Sequence, residues 1–310
     1  MANLKELAKK EEKFTGGHRL CAGCGASIVA RQTMLALDTP VVVANATGCL
    51  EVASTIFPFS AWKVPFLHSA FENAGASISG VEAAYKSLKK QGKLTDDIRF
   101  IAFGGDGGTY DIGLQSLSGA MERRHRILYI CYNNEAYMNT GIQRSGATPR
   151  GAHTTTAPTG KVKQGKEQIR KDLTAIMVAH DIPYAAQAIV GNWNDYITKV
   201  QKALATDGPT FINVLQPCRL GWGYKPEDTM AMGRLAMETC MWPVYEVVNG
   251  EYKITVKPKE KKPVMEFFKD QTRFKHLMKP ENKQLVDEIQ AEVDRKWAKL
   301  LQLAGETAQK

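Results

Sequence analysis

The residues best suited to chemistry stand at the ends of two short apolar runs, residues 98–103 and 127–132. The first run leads into a glycine-rich turn made of Gly104, Gly105, Asp106, Gly107 and Gly108. Such glycines let the backbone approach a bulky anion, and the start of a following helix offers free N–H groups to a phosphate. Asp106 and Asn134 supply oxygen atoms, and oxygens beside phosphates suit Mg²⁺. The sequence predicts a magnesium–phosphate site, to which the carbonyl of Ala136 could contribute.

The two runs predict the elements that position these residues. Each run has the continuous apolar character of a buried parallel strand. Between them, apolar residues from Ile112 to Met121 recur at near-helical spacing, which indicates a strand, a helix and a second strand. Ligands of open α/β sheets collect beyond the carboxyl ends of the strands, where Asp106 and Asn134 are expected.

Six cysteines suggest a second kind of chemistry. A chain of 310 residues without a secretory signal-like segment is not a disulfide scaffold, so these thiols point to metal or redox chemistry. Cys21 and Cys24 form a Cys-x-x-Cys turn with a glycine on each side of Cys24, and this turn is ambiguous among zinc, an iron–sulfur cluster and a redox dithiol. Cys49 follows a strand predicted within residues 37–46 and is expected to be a third ligand.

The remaining three cysteines differ in their predicted positions. Cys218 follows a buried strand predicted over residues 209–215, so it too stands at a strand end. Cys131 lies inside a strand and Cys240 in a helix-like run, where buried structural thiols are expected.

Two loops could contribute further groups. Asn139 and Thr140 follow the second strand closely and are placed to touch a reacting carbonyl or a cofactor ring.

Residues 145–166 show no apolar periodicity and predict a long functional loop. Residues 57–68 are also predicted to be a loop. His68 and Glu72 are weaker acid–base candidates, because such residues near a helix start are more often caps.

The pattern over the whole chain predicts an α/β fold with a doubly wound, mostly parallel sheet flanked by helices. The alternation of strands and helices fades after residue 220, so we expect a domain over residues 1–220 and a C-terminal extension over residues 221–310, packed on that domain or on a partner. The extension contains a predicted hairpin at 245–256 and a helix at 283–303.

Composition and charge limit the classes of partner. No apolar stretch is long enough for a membrane span, and the charged N-terminus favours a cytoplasmic protein. The net charge is +9, concentrated in part at residues 161–171 and 257–262. Neither segment is interleaved with aromatic residues, so we expect a solvated face and not a nucleic-acid groove, with an acidic protein partner as the alternative.

Gly-Asp-Gly, 25 intervening residues and Asn-Asn resemble the signature of thiamine diphosphate enzymes. Five ordered motifs make the resemblance more specific: HRLCAGCG, ATGCLEV, SAFENAGASISGVEAA, FGGDGGTYDIGLQSLSGA and NNEAYMNTGIQRSGATP. Together they resemble the β subunits of multi-subunit 2-oxoacid:ferredoxin oxidoreductases, particularly of the pyruvate type, over roughly residues 15–300. The resemblance implies the thiamine diphosphate-binding fold.

The resemblance also implies site residues. Cys21, Cys24, Cys49 and Cys218 would bind a 4Fe–4S cluster. Thiamine diphosphate would be held by a set comprising Thr47, Gly48, Cys49, Gly105, Asp106, Gly107, Gly108, Asn134, Ala136 and Thr140. Asp106, Asn134 and the Ala136 carbonyl would bind Mg²⁺, and Asn139 matches an active-site asparagine that approaches the substrate. Val52 stands where relatives that use 2-oxoglutarate carry a lysine, which favours small 2-oxoacids.

The implied reaction is the reversible oxidative decarboxylation of pyruvate to acetyl-CoA and CO₂, an anaerobic pathway step with ferredoxin as electron acceptor and coenzyme A as acyl acceptor. The chain has no room for the pyrimidine domain and its activating glutamate, so an α subunit is expected to supply them, beside γ- and δ-type subunits. Alternatives are the same chemistry on oxalate or another small 2-oxoacid, a non-redox thiamine enzyme, and a zinc-stabilised scaffold or binding module.

Overall fold

The computed structural model describes residues 3–306, in which one eight-stranded sheet is the central feature. Its strands are β1 (Val41–Ala46), β2 (Phe66–Ser69), β3 (Arg99–Gly105), β4 (Leu128–Asn133), β5 (Tyr184–Ile189), β6 (Thr210–Leu215), β7 (Val244–Val248) and β8 (Glu251–Val256). Their order is β2-β1-β3-β4-β6-β5-β7-β8. The first six are mutually parallel, β7 runs antiparallel to β5, and β8 runs antiparallel to β7. The predicted α/β fold with a mostly parallel sheet is confirmed.

Helices cover both faces of the sheet. They are α1 (Leu4–Leu7), α2 (Gly25–Leu35), α3 (Cys49–Ser54), α4 (Ala74–Lys90), α5 (Leu114–Glu122), α6 (Leu173–Val178), α7 (Trp193–Ala205), α8 (Arg219–Trp222), α9 (Thr229–Glu238), α10 (Val264–Phe268) and α11 (Lys283–Leu303). A π-helical turn over Gly107–Ile112 precedes α5, and 3₁₀ segments occupy Pro226–Asp228, Thr272–Met278 and Pro280–Asn282. Within the described residues, no helix is both long and apolar enough to span a membrane.

The central strands explain why their sequences read as unbroken apolar runs. Every residue of β4, β5 and β6 is buried, because helices pack against both faces. On one face Ile212 lies in a cluster with Val29 of α2 and Tyr196 of α7. On the other face Phe211, one residue earlier, lies in a cluster with residues of α4 and α5. The core is therefore two apolar layers separated by the sheet.

One loop prediction was wrong at its end. Residues 57–68 were expected to be a loop, but Phe66–Ser69 form β2, an edge strand parallel to β1. The carbonyl of Pro65 also accepts a 2.9 Å hydrogen bond from the Val43 N–H. This strand is short and mostly exposed, so the apolar pattern that reveals a buried strand is absent from it.

The C-terminal residues extend the sheet and add a third cluster. The predicted hairpin forms β7 and β8, with Asn249 and Gly250 both at positive φ in the turn. Strand β7 pairs with β5, so this part of the predicted extension continues the main sheet. Beyond it, Phe267, Phe268 and Phe274 pack with Trp222 and with α11.

Candidate active site

A cleft opens at the carboxyl ends of β1, β3 and β4, the edge at which parallel α/β sheets bind ligands. Its lining consists of Thr47, Gly48, Cys49, Phe71, Gly105, Asp106, Gly107, Gly108, Tyr132, Asn134, Ala136, Tyr137, Met138, Asn139 and Thr140. The residues that the resemblance assigns to thiamine diphosphate, Mg²⁺ and the substrate carbonyl are all in this set, whereas Gly104 and Val52 are not. The structure thus brings together segments separated by more than fifty residues of chain.

The glycine-rich turn is built for close approach. An added Cβ on Gly107 would lie 2.3 Å from the Tyr137 ring, and one on Gly104 would lie 2.3 Å from the Tyr129 hydroxyl. Neither glycine has a positive φ, so space and not backbone conformation requires glycine there. The following turn is π-helical, a wide form found often at functional sites. The predicted helix therefore begins as a broad turn beneath the cleft.

Asp106 lies in the floor of the cleft and is almost completely buried. Ser145 Oγ donates to its Oδ2 at 2.5 Å, and the backbone N–H of Asn134 donates to its Oδ1 at 3.1 Å. Burial raises the pKa of Asp106 to about 7, with a smaller contribution from the nearby charge of Glu135, although both hydrogen bonds oppose the rise. A divalent cation at this position would favour the carboxylate form.

Asn134 and Ala136 complete a group of oxygen atoms around Asp106. One side-chain atom of Asn134 lies 2.9 Å from Ala136 O and 3.0 Å from Asp106 Oδ1. If that atom is the amide nitrogen, it donates to both oxygens. If it is the amide oxygen, three oxygens converge with no proton between them, which is stable only around a cation.

Gln216 makes the second amide orientation feasible. Its Nε2 position lies 2.9 Å from the other side-chain atom of Asn134, and its Oε1 is buried without a hydrogen-bond partner. Rotating the Gln216 amide would let that oxygen accept from Asn134 Nδ2, and Asn134 Oδ1 would then face Asp106 and Ala136. The donor set therefore fits Mg²⁺. Sequence spacing gave no signal for Gln216 or Ser145.

The segment after β1 supplies the opposite wall. Thr47 Oγ1 lies 2.7 Å from His68 Nε2, and that same nitrogen lies 3.5 Å from Glu51 Oε2. The Glu51 carboxylate also accepts a 3.0 Å hydrogen bond from Thr55. His68 is therefore held beside a cleft residue, whereas Glu72, the other weak acid–base candidate, is exposed just before α4. Asn139 and Thr140 are exposed at the cleft mouth.

Tyr137 and Met138 were not predicted as site residues, yet both line the cleft. The segment folds back on itself, because the N–H of Tyr137 bonds the carbonyl of Gln143 at 2.9 Å. Burial, followed by the nearby Asp111 carboxylate, raises the pKa of Tyr137 to about 12. Aromatic and thioether side chains carry no spacing signature, so only the fold reveals that they face the cleft.

Four thiols lie close enough to influence one another. Burial, reinforced by neighbouring thiols, raises the pKa of Cys24 to about 11 and that of Cys49 to about 12. Cys218 also has a raised pKa because of burial, although the Gly221 N–H lies 3.5 Å from its Sγ and opposes the rise. Cys21 is exposed, and none of the four forms a disulfide.

Local contacts fix the Cys21–Cys24 turn. The N–H of Cys24 donates to the Cys21 carbonyl at 3.0 Å. Gly23 has a φ of +71°, and an added Cβ there would lie 2.4 Å from Pro226 O, so glycine is required. Cys131 and Cys240 are buried away from this group, in β4 and just after α9. Their pKa values are raised by burial.

The thiols do not meet the geometry of a single bound ion. Among residues 3–306, no three or more His, Cys, Asp or Glu side chains are arranged to hold one metal ion. Tetrahedral zinc with bonds of about 2.3 Å would bring the sulfurs to roughly 3.8 Å from one another. A multi-iron cluster binds thiolates on separate irons, which spreads the ligands further apart.

Comparisons with known proteins show the family of the chain. Residues 46–214 match the thiamine pyrophosphate enzyme family through its C-terminal TPP binding domain. The chain is 52% identical to pyruvate synthase subunit PorB of Thermotoga maritima, over 99% of this chain and 98% of that protein. It is 55% identical to the PorB subunit of Methanocaldococcus jannaschii, over 95% and 98% of the two chains.

Two further similarities are more distant. Ketoisovalerate oxidoreductase subunit VorB of Pyrococcus abyssi is 43% identical, over 95% of this chain and 94% of that one. A solved structure, 2-oxoglutarate:ferredoxin oxidoreductase from Magnetococcus marinus, has the same fold, with a TM-score of 0.53 and 22% identity over 64% of this chain and 63% of that one.

Proposed function

The chain belongs to the PorB family of pyruvate synthase subunits within the thiamine pyrophosphate enzymes, and we propose that it oxidatively decarboxylates pyruvate when joined to its partner subunits. The products are acetyl-CoA and CO₂, ferredoxin accepts the electrons, and the reaction is reversible. The observation that carries this proposal is a single residue, Cys49, which lines the cofactor cleft and also belongs to the group of interacting thiols.

The cleft floor would hold the diphosphate end of the cofactor. Asp106, Asn134 and the Ala136 carbonyl would bind Mg²⁺, and the backbone from Gly105 to Gly108 would approach the phosphates. Thr47, Gly48 and Cys49 would border the cofactor from the other side, and Thr140 would border it at the cleft mouth. Thiamine diphosphate, when bound, supplies the carbon nucleophile and electron sink that decarboxylation of a 2-oxoacid needs.

The chain's own side chains would orient the substrate and restrict water. Asn139 is exposed at the cleft mouth, where its amide can donate to the carbonyl oxygen of a 2-oxoacid. Tyr137 and Met138 present apolar surface to the same space. Thr47, fixed by its 2.7 Å contact with His68, offers a hydroxyl on the opposite wall.

Cys21, Cys24, Cys49 and Cys218 would hold a 4Fe–4S cluster as the one-electron carrier. The support is the donor chemistry: four free thiols that lie close enough to influence one another's pKa values. A non-redox thiamine enzyme has no need for four such thiols beside its cofactor.

Other subunits are required by this assignment. PorB relatives are subunits of a larger enzyme, and an α subunit would supply the pyrimidine domain and its activating glutamate. Subunits of the γ and δ type, ferredoxin and coenzyme A are the further partners that we propose, with the complex in the cytoplasm. The active site would then lie between subunits, and the isolated chain would be inactive.

A second substrate class has a specific observation in its favour. The VorB relative is named a ketoisovalerate oxidoreductase subunit and is 43% identical over 95% of this chain. Branched 2-oxoacids are therefore the first alternative to pyruvate, followed by oxalate and other small 2-oxoacids.

Anaerobic purification tests the proposal directly. We expect brown protein with about four irons per chain for this cluster type, no zinc, and Mg²⁺-dependent binding of thiamine diphosphate. The reconstituted complex should reduce ferredoxin only when pyruvate and coenzyme A are both present. Colourless protein with one zinc per chain would contradict the redox assignment, and a complex that turns over 3-methyl-2-oxobutanoate faster than pyruvate would favour the branched-acid alternative.

A further inference from the structure

A buried guanidinium from the C-terminal segment reaches the loop that carries the predicted metal ligands. Arg273, in the 3₁₀ segment Thr272–Met278, is 4% exposed, and its Nη2 donates to Glu135 Oε2 at 2.7 Å. Glu135 stands between Asn134 and Ala136 and is itself 2% exposed. Its other oxygen, Oε1, accepts from Arg170 Nη1 at 2.6 Å. One carboxylate is thus held between two guanidiniums.

Trp222 connects the same guanidinium to Cys218. The guanidinium carbon of Arg273 lies 3.9 Å from the centre of the Trp222 ring. The indole Nε1 donates to the backbone carbonyl of Asn134 at 2.8 Å, while the backbone N–H of Trp222 donates to the carbonyl of Cys218 at 2.9 Å. Arg273 therefore contacts both Glu135, in the metal-binding loop, and Trp222, in the helix that begins after Cys218.

The loop conformation needs such support. Glu135 has a φ of +68°, a left-handed conformation that residues with a side chain rarely adopt. Two guanidiniums beside one carboxylate leave a net charge of +1 in a largely buried volume. Burial also costs each of these charged groups part of its solvation. Apolar side chains of similar size would fill the space without that cost, so stability alone does not account for the arrangement.

We propose that Arg273 is a positioning residue that couples the Asn134–Ala136 loop to Cys218, and that its charge raises the reduction potential of the redox group held there. The inference rests on the proposed function, because it assumes Mg²⁺ at the loop and an iron–sulfur cluster at the thiols. A nearby positive charge stabilises the more negative, reduced form of such a cluster. Arg273 would thereby act on cofactor binding and on electron transfer through one side chain.

The test uses Arg273→Gln, Arg273→Lys and the control Arg150→Gln in the assembled complex. Arg150 also links a loop to α11, through a 2.6 Å contact with Glu288, but it does not touch the cleft or the thiols. Two quantities are measured: the affinity for thiamine diphosphate with Mg²⁺, by calorimetric titration, and the midpoint potential of the cluster, by EPR-monitored redox titration.

Arg273→Gln should weaken cofactor binding at least about tenfold, the loss expected for one hydrogen bond to a charged group, and should shift the midpoint potential to a more negative value. Arg273→Lys keeps the charge but not the planar fork, so the potential should stay near that of the wild type while cofactor binding weakens. Arg150→Gln should change neither quantity.

Three results would overturn the coupling. A wild-type complex with neither a cluster nor Mg²⁺-dependent cofactor binding refutes the proposed function and this inference together. A wild type with both, beside an Arg273→Gln variant that is unchanged or altered in only one quantity, refutes the coupling alone. If Arg273→Gln does not assemble, Arg273→Lys decides, and wild-type cofactor affinity in that variant overturns the proposal.

Discussion

Ser145 donates a 2.5 Å hydrogen bond to Oδ2 of Asp106, although 39 residues of chain separate them. The backbone N–H of Ser145 in turn bonds Thr148 Oγ1 at 3.0 Å, and that hydroxyl donates to the Glu135 carbonyl at 2.6 Å. The loop after residue 145 therefore braces both Asp106 and the Asn134–Ala136 segment.

Ser145→Ala should weaken Mg²⁺-dependent binding of thiamine diphosphate by about tenfold, because the carboxylate loses a charge-assisted hydrogen bond worth roughly 1.5 kcal/mol. Calorimetric titration of the cofactor measures the effect. Ser118→Ala is the matched control, since Ser118 contacts His180 at 2.8 Å and lies outside the cleft. Equal losses in the two variants would mean that the serine hydroxyl has no specific role at Asp106.

Asp106→Ala should weaken cofactor binding more strongly, by about a hundredfold, because an anionic ligand disappears and the diphosphate faces less positive charge. Asp106→Asn, which keeps the size, should lose nearly as much. The control Asp38→Asn removes a carboxylate that pairs with Lys10 on the surface. Unchanged cofactor affinity in Asp106→Ala, with wild-type circular dichroism, would show that the glycine-rich turn does not hold the metal.

Cys218→Ser should lose or destabilise the cluster, because a hard alkoxide replaces a soft thiolate poorly. Cys131→Ser and Cys240→Ser remove thiols that are buried in β4 and after α9, so both variants should retain iron. Iron and sulfide are measured per chain after anaerobic purification. Equal iron content in all three variants would contradict the choice of these four cysteines.

Residues that stand just beyond buried strands could be predicted from the sequence. Strands buried on both faces, such as β4 and β6, have continuous apolar sequences, and the residues just beyond them fall at one edge of the sheet. That is why Asp106, Asn134, Cys49 and Cys218 could all be placed at strand ends from the sequence. Asp106 was also recognisable because its glycine neighbours have a distinctive spacing.

Contacts made across long stretches of chain could not be predicted in the same way. Ser145, Gln216 and Arg273 reach the site from three separate segments, and nothing in their local sequence specifies a partner. Strand β2 was missed because four mostly exposed residues carry little apolar pattern. These features depend on tertiary packing, which periodicity and motif spacing do not encode.

Lys166 should make the stability of the folded chain depend on pH. It is 3% exposed, and its Nζ donates to the carbonyl of Thr148 at 2.6 Å and to that of Ser145 at 3.3 Å. Burial lowers the pKa of Lys166 from 10.5 to about 8 in the folded chain, and the neighbouring Arg144 and Arg170 add to the effect. Between about pH 8 and pH 10.5, Lys166 keeps its proton in the unfolded chain but has lost it in the folded chain. The free energy of unfolding therefore rises with pH over this range.

We therefore expect the stability of the wild type relative to Lys166→Met to be constant below about pH 8 and to rise by up to about 3 kcal/mol as the pH approaches 10.5. Chemical denaturation of both chains across this range provides the difference. Lys163→Met, which removes an exposed lysine paired with Glu167, should give no such slope. A difference that is flat to pH 10.5 would contradict the lowered pKa.

Val52 is the position at which substrate choice can be tested. It lies on α3, in the helical turn that begins at Cys49, and its side chain is exposed. The neighbouring Glu51 carboxylate accepts a hydrogen bond from Thr55 and lies near His68. Helix α3 itself contains no lysine or arginine that could pair with a second carboxylate of a substrate. The second carboxylate of a substrate such as 2-oxoglutarate would gain no charge partner on this helix, whereas pyruvate has no second carboxylate.

Val52→Lys should therefore raise kcat/KM for 2-oxoglutarate by about tenfold, the effect of roughly 1.4 kcal/mol from one partly solvated ion pair, and should leave kcat/KM for pyruvate within a few fold. The assay compares pyruvate, 2-oxoglutarate, 2-oxoisovalerate and oxalate with the assembled complex. Leu88→Lys, which adds the same charge on the exposed surface of α4, separates a local effect from a general one. If the wild-type complex already prefers 2-oxoglutarate, or if both lysine variants respond alike, Val52 does not set the substrate size, and the selective contacts must come from the partner subunit.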